Sequence, residues 1–196
     1  MRDVLRTARL TLAPVSMSDR RRLLAHWTGP LVREHLPGAR GVTGPAVTEI
    51  IAASERGFAL RGYGLWTLRP VGGGPLLGVA GLRAHGDRAA EIVWSLEPDR
   101  WGRGLAEEAA GALLGHAFTA TGLRRVTAEV DGAVTAEVAG RLGMRRVRHD
   151  PGGAVHFAAD RADAGQADSI ASISRAGVAP AIISPLSNTS VGVEIT

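Results

Sequence analysis

The sequence predicts an α/β (α+β) fold, a mixed and mostly antiparallel sheet flanked by helices. Three observations carry that expectation. Runs 64–69, 76–82 and 90–96 are short and apolar with only tight turns between them, so they read as a three-strand meander. Apolar residues then recur at helical spacing from Leu105 to Ala120. A strand, a further helix and a hairpin follow, completing the order strand, two helices, meander, helix, strand, helix, hairpin.

Each element has a local reason. Arg9-Leu10-Thr11-Leu12-Ala13 alternates polar and apolar residues and stops near Pro14, as a first strand does. Ser16 and Ser18-Asp19 are helix-start residues, and Leu23, Leu24, Trp27 and Leu31 follow at helical spacing, with Gly29-Pro30 expected to break or kink the run. Thr43-Gly44-Pro45 opens a second helix that presents Val47, Ile50, Ile51 and Phe58 on one face. The glycines of Val71 to Pro75 make the first meander turn and His85-Gly86-Asp87 the second. Thr121-Gly122 closes the Leu105–Ala120 helix. Arg125 to Val130 is a strand, Ala133 to Leu142 a helix capped by Gly143, and Val147 and Val155-His156-Phe157 flank a turn at Pro151-Gly152-Gly153. From about Arg161 the apolar period is lost. Residues 1–160 therefore read as one domain and 161–196 as a low-complexity, flexible tail, in which Ile182-Ile183 offers a short strand at most.

Composition narrows the chemistry. The 196 residues are 45% hydrophobic and 21% charged, ordinary for one packed domain. The absence of cysteine excludes disulfides, thiolate metal sites and a cysteine nucleophile. The first residues are polar and arginine-bearing with no apolar run behind them, and no stretch approaches the roughly 18 apolar residues that cross a bilayer. The expectation is a cytoplasmic protein without a membrane partner. Net charge is +4 and the isoelectric point near 11.0, a positive balance carried by arginine that suits an anionic cofactor as well as nucleic acid. With 4% aromatics there is no base-stacking platform, so no nucleic-acid partner is expected. The six histidines show no metal-ligand spacing, and no metal site is expected.

Trp101-Gly102-Arg103-Gly104-Leu105-Ala106 joins the meander to the next helix. A glycine-bearing loop that opens a helix offers backbone N–H groups and a positive dipole end, which together suit a phosphate. Gly102 and Gly104 let the backbone approach closely, and Arg100 and Arg103 add charged donors. This run resembles the coenzyme A motif of the GNAT superfamily of acetyltransferases. Pro98 to Ala109 is similar to the ribosomal-protein N-terminal acetyltransferase branch, which also places tryptophan at the first motif position. Arg9-Leu10-Thr11-Leu12 and Arg141-Leu142-Gly143-Met144 extend the resemblance over roughly residues 8–160. It implies a twisted sheet splayed after the fourth strand. It also implies acetyl-coenzyme A as cosubstrate, its pantetheine against the backbone of Trp94, Ser95 and Leu96 and its pyrophosphate on the amides from Trp101 through Gly102, Arg103, Gly104 and Leu105 to Ala106.

Acetylation of an amine needs a base to collect a proton. Glu91 is the lone acid in an apolar strand one loop before the motif, and the resemblance places a general base at this position; Glu97 is the second candidate, and beside Pro98 it also reads as a loop residue. Thr135 aligns with a branch serine, where its hydroxyl either meets sulfur or simply starts the helix, while Gly132 stands where the branch has asparagine. The only tyrosine, Tyr63, lies before the second strand, away from the position where many relatives carry an acid. The implied activity is direct acetyl transfer to an amine, either a protein N-terminus or a small molecule. The alternative is a coenzyme A-binding module that has lost turnover. The resemblance also implies a homodimer as one arrangement.

Overall fold

A computed structural model describes residues 3–35, 41–130, 133–150 and 154–161. The tail expected after Arg161 lies outside the described residues. Among the described residues, eight strands form one sheet in the order β1-β2-β3-β4-β5-β6-β8-β7. The strands are β1 Leu5–Arg6, β2 Leu10–Pro14, β3 Leu65–Pro70, β4 Gly78–Ala84, β5 Ala89–Leu96, β6 Arg125–Val130, β7 Arg145–His149 and β8 Val155–Asp160. The helices are α1 Arg20–Thr28, α2 Pro30–His35, α3 Gly44–Arg61, α4 Leu105–Ala120 and α5 Ala133–Arg141. Every pairing is antiparallel except β5 with β6.

The local signals act where the sequence put them. Ser16 and Asp19 close a capping box before α1. Pro30 cannot continue α1 but fits the first turn of α2, so the apolar run 23–31 is divided between two helices. Thr43 accepts a hydrogen bond from the Ala46 amide at 3.4 Å to start α3, and left-handed Gly62 ends it. Val47, Ile51, Ser54 and Phe58 are its buried stripe. On α4, Leu105, Ala109, Leu113 and Ala117 are buried as their spacing requires, while Ala112 is half-buried.

Two features were not legible locally. β1 is only two residues long, and it exists because Leu5 and Arg6 pair with Leu12 and Thr11 of β2. β4 begins at Gly78 rather than Leu76, because the left-handed glycines Gly72, Gly73 and Gly74 extend the turn. The core centres on Trp27, Trp66 and Trp94, all fully buried. Phe58 stands edge-on to Trp66 at 4.6 Å, and His116 of α4 stands edge-on at 5.4 Å while bonding the Gly62 carbonyl at 2.9 Å.

Gly81, in mid-β4, shows how closely the meander is packed. A Cβ there would lie 2.4 Å from the Gly64 carbonyl oxygen and 2.7 Å from the Leu65 Cα, both backbone atoms of the neighbouring segment. Backbone cannot rotate aside as a side chain can. Gly81→Ala is therefore expected to destabilise the fold by about 1–3 kcal/mol, the range for an overpacked core. Thermal unfolding checks it: a melting temperature within a degree of the parent would show that β3 and β4 separate freely.

The feature that creates the site is the partial pairing of β5 with β6. It covers only Ala89–Glu91 against Arg125–Thr127. Beyond Glu91 the rest of β5 stays paired to β4 alone, from Ile92 with Leu82 to Leu96 with Gly78. The sheet splays at this vertex, one strand later than the fourth only because β1 precedes the strand that the sequence predicts as first.

Candidate active site

The site is built where β5 ends and α4 begins. Glu97 to Arg100 form a tight turn, in which the Arg100 amide donates to the Glu97 carbonyl at 2.9 Å and the Trp101 amide to the Pro98 carbonyl at 3.2 Å. Gly102 and Gly104 both take left-handed backbone, with φ of 70° and 69°, and Gly104 is the N-cap of α4. The amides of Leu105, Ala106 and Glu107 fall in the first helical turn, which has no intrahelical acceptors. The loop thus offers amides from Gly102 onward, whereas the Trp101 amide is occupied within its own turn.

Trp94, Ser95 and Leu96, expected along a pantetheine arm, all lie beyond the vertex, and all are buried. The Leu96 carbonyl accepts the Trp101 indole N–H at 2.9 Å, so the indole lies against the end of the strand.

Glu91 sits at the vertex itself. Its carboxylate is 13% exposed and bonded by Arg83 Nη2 at 2.5 Å, its partner directly across β4. Alternation along β5 puts Glu91 on the same face as Ser95. Thr135 is the third residue of α5, but its side chain, like residue 132, lies outside the described residues. Tyr63 is buried at the end of α3, where burial raises its pKa against the lowering effect of Arg61. The Arg61 guanidinium lies over its ring, 5.5 Å from the centroid. Among the described residues, no group of three histidine or carboxylate side chains is placed to hold a metal ion.

A hydrogen-bonded chain that sequence reasoning missed runs beside β5. Buried His26 of α1 meets Glu97 Oε1 through Nδ1 at 2.9 Å and Ser95 Oγ through Nε2 at 2.6 Å. A carboxylate at Nδ1 makes that nitrogen the donor, while the direction of the Nε2–Ser95 bond follows the protonation of the ring. The chain satisfies three polar groups and ties α1 to the cofactor-loop end of β5. The only sequence signal was a histidine among apolar residues on one helix face. The neighbouring Trp27 Nε1 is buried without an acceptor, leaving an unpaired donor on this side.

Two glutamates of the site have pKa values below the usual range. The His26 hydrogen bond is the main cause for Glu97, opposed by burial and aided by the charges of His26 and Arg100. For Glu108, burial pulls upward but is outweighed by hydrogen bonds from Thr7 and Arg9 and by the Arg9 charge. A carboxylate depressed on folding contributes stability above its unfolded pKa and loses it as pH falls through the folded value. The acid side of the stability profile is therefore expected to fall below about pH 4.5, the ordinary glutamate value. Glu97→Gln should flatten that limb, which melting curves from pH 7 to pH 3 would measure; an unaltered limb would remove Glu97 as a contributor.

Comparison with known proteins bears on this geometry. Residues 9–161 match the family model described as an acetyltransferase (GNAT) domain. A protein designated a GnaT-family acetyltransferase, from Bordetella pertussis, is 29% identical over 80% of this chain and 98% of its own, with a TM-score of 0.66. An acetyltransferase from Agrobacterium tumefaciens is 27% identical over 80% and 94% of the two chains, also with a TM-score of 0.66. RimL, a ribosomal L7/L12 alpha-N-protein acetyltransferase solved in complex with coenzyme A, shares the fold at 16% identity, with a TM-score of 0.66 over 81% and 98%. A family match over most of the chain, the splay at Glu91 and the left-handed loop opening α4 agree: the chain belongs to the GNAT acetyltransferase family.

Proposed function

We propose that this protein is an N-acetyltransferase that moves an acetyl group from acetyl-coenzyme A directly to an amine, with a protein N-terminal amine as the acceptor. The observation that carries the donor half is the left-handed Gly102 and Gly104 loop, opening α4 beside the part of β5 that has left β6. The residues fit the group. Side chains are missing at the two positions where backbone must approach a pyrophosphate, and the first-turn amides face outward from a helix start. The amides of Gly102 to Ala106 and the Arg103 side chain would hold the pyrophosphate, and the backbone of Trp94 to Leu96 the pantetheine.

Acetyl-coenzyme A supplies an acyl carbon activated as a thioester. Glu91, at the vertex and on the Ser95 face, collects the proton that the amine loses on attack. Arg83 holds that carboxylate in place. For Thr135 the resemblance implies a hydroxyl that either meets sulfur or starts the helix. The domain doing this is residues 1–160, with 161–196 as an appended tail. The acceptor class rests on the likeness of Pro98 to Ala109 to the N-terminal acetyltransferase branch, and RimL adds a relative of the same fold. One observation favours a second reading, a module that holds coenzyme A without turnover: the Glu91 carboxylate is already engaged by Arg83.

A thiol-release screen over N-terminal peptides, lysine peptides and small amines tests the proposal, with mass spectrometry locating the acetyl group. Acetylated peptide α-amines are the expected product. Coenzyme A binding without release on any amine would favour the second reading, and no binding at all would remove both.

A further inference from the structure

The cofactor loop is held from behind by a residue 94 positions earlier in the chain. Arg9 lies in the turn between β1 and β2, where Thr7 and Leu10 bond one another and the Arg9 carbonyl accepts from the Val71 amide at 3.0 Å. Its guanidinium donates to three acceptors at once. Nε meets Glu108 Oε2 at 2.5 Å, Nη1 the Arg103 carbonyl at 2.8 Å and Nη2 the Gly104 carbonyl at 3.3 Å. Glu108 is itself fixed by the Arg9 amide at 2.8 Å and by the Thr7 hydroxyl.

The planar trans peptide turns these contacts into a statement about the opposite side of the loop. In each peptide unit the C=O and the following N–H point in opposite directions. Pinning the Arg103 carbonyl toward Arg9 therefore turns the Gly104 N–H away from Arg9. Pinning the Gly104 carbonyl does the same for the Leu105 N–H. The Gly104 carbonyl is held further by the Glu108 amide at 3.1 Å, the first bond of α4. Two successive amides are thus aimed together at one side, at a left-handed glycine where the backbone would otherwise have wide freedom.

We propose that Arg9, braced by Glu108 and Thr7, is a positioning residue for the diphosphate of coenzyme A, acting by fixing the Gly104 and Leu105 amides toward it. This rests on the donor half of the functional reading. A lysine cannot replace it: one ammonium on a flexible stem lacks the planar fork that reaches a carboxylate and two carbonyls together.

The test compares ligands with and without the diphosphate. Arg9→Lys keeps the charge and is expected to weaken coenzyme A and adenosine 3′-phosphate 5′-diphosphate by a similar factor in calorimetry, on the order of tenfold or about 1.4 kcal/mol. In kinetics, kcat/KM should fall for acetyl-coenzyme A while acetyl-pantetheine, which has no diphosphate, is used as before, and kcat at saturating donor should stay within about twofold. Unchanged affinity in a folded Arg9→Lys, or an equal loss with acetyl-pantetheine, overturns the assignment. Should Arg9→Lys not fold, Glu108→Gln loosens the same clamp, and unchanged coenzyme A affinity there overturns it equally. If the unaltered chain binds no coenzyme A, the functional reading fails and the clamp with it; if it binds and the variants bind as well, the clamp alone fails.

Discussion

Glu91→Gln is expected to lower the turnover rate about 100-fold or more at pH 7 while leaving coenzyme A affinity nearly unchanged. The carboxylate stands at the vertex where β5 parts from β6, one-eighth exposed, on the face it shares with Ser95. An N-terminal α-amine, with a pKa near about 7.7–8.0, is partly protonated at neutral pH and needs a nearby base to attack. The loss should therefore shrink as pH rises and the free amine becomes neutral unaided. Glutamine can still accept the Arg83 hydrogen bond, so the substitution separates chemistry from architecture. A variant with full turnover at pH 7 on its acceptor would leave Glu91 as the cross-strand partner of Arg83 and nothing more. Glu97, bonded to His26 and a third exposed, would be tested next.

Gly104→Val should weaken coenzyme A binding at least about tenfold, or about 1.4 kcal/mol. The reason is conformation rather than space. A Cβ at Gly104 would meet only Arg9 Nη2, at an ordinary 3.6 Å, but the residue holds φ at 69°. A β-branched residue is a genuine outlier there, and left-handed backbone costs an L-residue roughly 1–2 kcal/mol. Valine relieves that strain only by turning the peptide units on either side, which carry the two amides that Arg9 orients. Calorimetry on a folded variant checks it, and unchanged affinity would take the diphosphate away from this loop. Arg9→Lys and Gly104→Val should also fail to add, because both act on the same two amides.

Much of the fold was legible because its signals are short-range. Pro30 stops a helix through its own backbone, Thr43 caps α3 three residues away, and the period of Leu105 to Ala117 selects the buried face of α4. The loop at the head of α4 was legible for the same reason: Gly102 and Gly104 mark a turn within the few residues that form it. β1 escaped because two residues have no period, and only pairing with β2 makes them a strand.

The sequence by itself determined the order of elements from β2 onward, the glycine loop at the head of α4 and the family to which the chain belongs. Tertiary structure alone decided the company that the charged groups around the site keep. Glu91 meets Arg83 because the β4–β5 register sets them opposite each other. Glu97 and Ser95 meet His26 across 71 and 69 residues, and Arg9 reaches Glu108 across 99. A polar side chain advertises what it can bond but not with whom. Its partner is chosen when the apolar faces of the helices and the sheet are buried together, and a buried polar group must then pair with whatever that packing brings within reach.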